Sequence, residues 1–131
     1  MEVILVHGLW YGRWAMGFLG RCLRRRGFTV RRFTYRATES PVAKQATQLA
    51  LFAQHGGATK VHFVGHSLGG LVIMRMLAGG QSPAVGRVVL LGTPLQGSRV
   101  ARKLAELPGL LTRDQRFRFP AYARELDAPD G

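Results

Sequence analysis

Short apolar runs alternate with longer segments of helical period through the first hundred residues, and this alternation sets the expected architecture. Val3–Val6 is fully apolar, as in a strand of a parallel sheet covered on both faces. The spacing predicts a helix over Arg13–Arg26, with Trp14, Phe18, Leu19, Cys22 and Leu23 on one buried stripe and Gly27 as its stop. Phe28–Tyr35 reads as the next strand. Its apolar Val30, Phe33 and Tyr35 alternate imperfectly with Arg31, Arg32 and Arg36, which marks a sheet edge. Ser40 and Pro41 read as the N-cap and first residue of a second helix, carried by Val42, Ala46, Leu49, Ala50 and Ala53 and ended by Gly56-Gly57. Val61–Val64 is a third strand and Leu71–Ala78 a nearly all-apolar helix stopped by Gly79-Gly80. Arg87–Leu91 is a fourth strand, after a loop over Gln81–Gly86. Arg99–Leu107 is a last helix candidate, broken by Pro108-Gly109. This β-α-β-α-β-α-β-α order predicts an α/β fold. Its parallel sheet of about four strands has right-handed crossovers, helices on both faces, and a site at the carboxyl ends of the strands.

The chemistry gathers where the third strand breaks. Gly65-His66-Ser67-Leu68-Gly69 is G-x-S-x-G, the pattern of a tight strand-to-helix turn that holds a serine hydroxyl above a parallel sheet. Such a turn strains the serine backbone, and side chains at Gly65 and Gly69 would collide with neighbouring backbone. The helix after Gly70 points the positive end of its dipole at Ser67. The five-residue pattern alone arises by chance; a strand before it and a helix after it supply the context it requires.

Three motifs in order carry a resemblance. His7-Gly8 follows the first strand, Gly65-His66-Ser67-Leu68-Gly69-Gly70 follows the third, and the G-T-P-x-x-G-S loop Gly92–Ser98 follows the fourth. From about residue 3 to residue 107 the chain resembles the α/β-hydrolase superfamily, in particular its small bacterial lipase- and esterase-type members. The resemblance implies a serine hydrolase acting on carboxylic ester or lipid bonds through an acyl-serine intermediate, with Ser67 as nucleophile. It implies an oxyanion hole from the backbone N–H groups of Leu9 and Leu68, two donors aimed where negative charge develops. His7, Gly8, Gly65, His66, Gly69 and Gly70 would support the loop and the elbow, with His7 bracing rather than exchanging protons. Trp10 and Tyr11 could equally line an acyl pocket or pack. No cofactor and no metal is implied.

The family's triad runs serine, acid, histidine along the chain, yet no histidine follows His66. His7, His55, His62 and His66 are the four present, and none stands where the family places its base. Asp114, Asp127 and Asp130 follow the last motif without a recognisable strand-end context. The expectation is therefore an N-terminal part of a hydrolase domain over 1–111 and a divergent polar tail over 112–131, truncated after the fourth strand. Without a base the serine is a poor nucleophile at neutral pH. A non-catalytic relic or binding module that keeps the half-fold is the alternative.

Composition narrows the rest. The 131 residues allow one domain, and no apolar run reaches the length of a membrane span or a signal-peptide core. The single cysteine, Cys22, excludes an internal disulfide and fits a reducing cytoplasm. It falls at helical spacing from Trp14 and Phe18 and is expected in the core. The net charge is +12, with 16 of the 19 cations arginine, so binding to nucleic acid or an anionic membrane is a further alternative. The arginines are spread along the chain, and no nucleic-acid motif or aromatic-interleaved basic stripe is visible. The expected partners are thus a small ester or lipid substrate, no specific nucleic acid, and a second copy through an unpaired sheet edge. No G-x-G-x-x-G or G-x-x-x-x-G-K-[ST] loop supports nucleotide binding.

Overall fold

Four parallel strands and three helices alternate in the computed structural model, which describes residues 1–8, 12–36, 40–80 and 82–93. The elements are β1 (Glu2–Val6), α1 (Gly12–Arg25), β2 (Thr29–Phe33), α2 (Val42–Gln54), β3 (Val61–His66), α3 (Leu68–Ala78) and β4 (Val85–Leu91). The sheet order is β2-β1-β3-β4, with every pair parallel. The two apolar strands β1 and β3 are thus central, where a strand must be apolar to be covered on both sides. The predicted elements after Thr93, including the helix over 99–107 and the tail from 112, lie outside the described residues, as do Leu9, Trp10 and Tyr11.

Alternation along β1 divides the core. Ile4 and Val6 face α2 and α3, in one cluster with Leu49, Phe63, Val72 and Ile73. Val3 and Leu5 face α1, in a smaller cluster with Met16 and Val30. Arg31 closes the floor of the sheet. It pairs with Glu2 at 2.9 Å, lies 4.1 Å above the Phe52 ring and donates to the Phe52 carbonyl at 2.6 Å. A partly buried guanidinium can stay in place because all three partners take its charge or its flat face.

The expected buried stripe of α1 is corrected. Trp14 and Phe18 point to solvent and Cys22 is half-buried, while Met16 and Gly20 face the sheet. At about 100° per residue, Trp14 stands opposite Met16, Leu19 and Leu23 on the helix. Those three residues and Gly20, whose missing side chain leaves room for Leu5, make the inward face. The start of α2 also shifts. Pro41 keeps an extended ψ of 151° and is the N-cap, with no side-chain cap bond, so Ser40 lies outside the helix. Instead the wholly buried Gln45 reaches back to the carbonyls of Ser40 at 3.0 Å and Arg36 at 3.3 Å. β4 begins at Val85, two residues before the predicted start, because the Val61 N–H donates to the Ala84 carbonyl and extends the ladder.

Among the described residues β4 pairs only with β3. Val89 is 47% and Leu91 40% exposed beside that free edge. An apolar, unpaired edge recruits further strands. The chain is expected to self-associate at high concentration, and replacing Val89 and Leu91 by lysine is expected to reduce it. A clean, reversible monomer in sedimentation equilibrium would contradict this.

Candidate active site

The elbow is built where β3 stops. The Ser67 N–H donates to the Leu91 carbonyl at 2.9 Å, continuing the β3–β4 ladder one residue past the strand. Ser67 then turns with φ 51° and ψ −119°, the one described non-glycine residue with positive φ. A side chain in that region costs on the order of 1–3 kcal/mol and persists only where its surroundings impose it. They do so here. The Ser67 carbonyl accepts from the Gly70 N–H at 3.1 Å and from the Thr93 hydroxyl at 3.1 Å. α3 starts at Leu68, so the N–H groups of Leu68 and Gly69 are first-turn donors without an intrahelical acceptor.

The glycines are required by close approach. A Cβ at Gly65 would stand 2.6 Å from Gly70 Cα, and one at Gly69 would fall on the Val6 carbonyl oxygen and 2.6 Å from that of His7. The helix start is thus pressed against the end of β1. A Cβ at Gly8 would lie 3.0 Å from Ser67 Cβ and 2.8 Å from the His66 carbonyl oxygen. Gly8, two residues past β1, therefore lies directly against the serine. Leu9, the first expected oxyanion donor, lies outside the described residues; Leu68, the second, is buried at the first position of α3.

His7 is held by its neighbours. Its Nδ1 sits 2.6 Å from the Gly8 carbonyl, and its Nε2 faces the Tyr35 N–H at 3.5 Å, a pair satisfied by the Nδ1–H tautomer. The Tyr35 ring stacks on it at 4.7 Å, and the Tyr35 hydroxyl donates to the His7 carbonyl at 2.7 Å. Among the described residues no histidine ring nitrogen hydrogen-bonds the Ser67 hydroxyl. His55 contacts the Leu51 carbonyl at 2.6 Å, and His62 Nδ1 accepts from the Arg87 N–H at 2.9 Å. His66 Nδ1 is buried beside Gly8 and has no hydrogen-bond partner. No group of three metal-ligating side chains is present among the described residues, and no described helix is long and apolar enough to cross a membrane.

Two contributors escape a motif reading. Thr93 belongs to the G-T-P loop, but only the fold brings its hydroxyl to the elbow carbonyl. Tyr35 lies just beyond β2, and its alternation with Phe33 is the one sequence sign that its ring turns inward. Burial pushes the Tyr35 phenol well above its ordinary value of 10.0. Above pH ~10 the unfolded chain loses a phenol proton that the native chain keeps, so this residue makes stability fall as pH rises, by up to ~1.4 kcal/mol per unit. Tyr35→Phe is expected to cost about 1 kcal/mol at neutral pH through the lost bond to His7, and to flatten the alkaline decline. Denaturant melts at pH 7 and above pH 10 measure both.

A strained serine at a strand-to-helix turn, on the carboxyl edge of a parallel sheet and against Gly8, is the geometry that the G-x-S-x-G pattern requires. The chain belongs to the alpha/beta hydrolase family, whose model matches residues 3–130. The match runs through the tail, past residue 107, where the motif resemblance ends. A search of curated proteins finds no match.

Proposed function

We propose that this chain carries the nucleophile half of a serine hydrolase for carboxylic esters or lipids. One observation supports this above all: Ser67 holds a backbone conformation that serine otherwise avoids, next to the Leu68 and Gly69 N–H groups of α3, which have no intrahelical acceptor. In this reading the Ser67 oxygen attacks the ester carbonyl carbon. The developing oxyanion takes hydrogen bonds from the Leu68 and Leu9 N–H groups. The alcohol departs with a proton, leaving an acyl-serine that water releases. His7, Gly8, Gly65, His66, Gly69 and Gly70 set the geometry and transfer no proton. The test is prolonged exposure to a fluorophosphonate with the adduct mapped by peptide mass spectrometry. A single adduct on Ser67, absent in Ser67→Ala, is expected; adducts only elsewhere would defeat the proposal. A second reading, a binding module that retains the hydrolase fold, draws support from the lack of a histidine at the Ser67 hydroxyl among the described residues.

A further inference from the structure

The outer face of α1 takes no part in the chemistry proposed for Ser67. Trp14 is 86% and Phe18 71% exposed, a large apolar area for one helix to leave in water. At about 100° per residue, Trp14, Phe18, Arg21 and Arg25 fall within a sector of roughly 60°. Arg21 and Arg25 are exposed, and Arg32 joins them from β2 across a shallow groove of about 720 Å³. Glu2 is the only carboxylate side chain among the described residues, and it is already paired with Arg31. The face is thus two aromatic rings in a cationic surround, with no described carboxylate to neutralise it.

We propose that this face docks on an anionic phospholipid surface, with Trp14 and Phe18 entering the headgroup boundary and Arg21, Arg25 and Arg32 meeting lipid phosphates. An indole and a phenyl ring beside arginines suit that boundary, where apolar ring and charged head are both satisfied. Charge complementarity selects the anionic leaflet, each arginine near the surface adding about fivefold in partition. A nucleic-acid duplex would take the arginines but leave both rings in water.

The experiment is co-sedimentation of the full chain with phosphatidylcholine vesicles, with and without a third phosphatidylglycerol. Binding is expected to the anionic vesicles and to be weak on the neutral ones. In Trp10→Phe, which leaves Trp14 as the one tryptophan, emission is expected to shift to the blue on binding. Arg21→Gln with Arg25→Gln should weaken binding about thirtyfold, and Trp14→Ala with Phe18→Ala should also weaken it and abolish the shift. All four positions are solvent-facing, so the variants should keep the parent's circular dichroism. Ser67→Ala should bind as the parent does, which separates this proposal from the hydrolase reading. Equal binding to both vesicle types, or indifference to the arginine pair, would overturn it. So would a self-association dissolved by Trp14→Ala with Phe18→Ala in a chain that ignores vesicles, or tight binding to DNA by such a chain.

Discussion

p-Nitrophenyl ester hydrolysis by the 131-residue chain is expected to run barely above background. Removing the histidine of a serine triad costs on the order of 10⁶ in turnover, because the hydroxyl proton then has no acceptor in the transition state. Three of the four histidines hold hydrogen bonds away from Ser67, and the fourth, His66, buries its free Nδ1 beside Gly8. What remains is positioning and first-turn N–H donors, which give a small residual rate. Ser67→Ala is expected to remove that residue without changing the melting temperature by more than a degree or two. Fast turnover lost in Ser67→Ala would contradict this, and would mean that His7, His55, His62, His66 or another chain supplies the base.

Gly69→Ala is expected to be the most damaging single methyl in the fold, costing at least about 3 kcal/mol. The added carbon falls on the backbone carbonyls of Val6, the last residue of the central strand β1, and of His7, the next residue, and neither can swing away as a side-chain tip would. At the preceding serine the sign reverses. Ser67→Gly removes the Cβ from a positive-φ position and is expected to stabilise by about 1 kcal/mol while removing the hydroxyl. Urea melts of the two variants against the parent measure both. Equal and small effects would mean that the elbow is neither tight nor strained.

The α/β architecture is legible in the sequence because its signals are local. The apolar runs at Val3–Val6 and Val61–Val64 are long enough for buried strands, and the glycine stops after the helices mark their ends. The motif order then leads to the family. The facing of α1 is not legible in the same way. Trp14, Phe18 and Cys22 form a convincing run of four-residue spacings, yet Met16 and Gly20, on the opposite side, meet the sheet. Large apolar residues on both sides of one helix leave the choice to packing, and Gly20 settles it by admitting Leu5. The start of α2 depends on Gln45 reaching back to two carbonyls, a contact that spacing does not reveal. Around the serine, the strand-to-helix context is readable, whereas the Thr93 and Tyr35 hydroxyls become neighbours of Ser67 and His7 only once the sheet order is fixed.

In the function proposed above, Ser67 is a nucleophile without a base of its own. The most direct measurement is the rate of fluorophosphonate attachment to Ser67, mapped by mass spectrometry, as imidazole is added. The expected rate is very low in plain buffer and rises in proportion to neutral imidazole, following that molecule's own titration, while Ser67→Ala shows no adduct at any concentration. Rapid attachment that ignores imidazole, or an adduct that survives Ser67→Ala, would contradict the account.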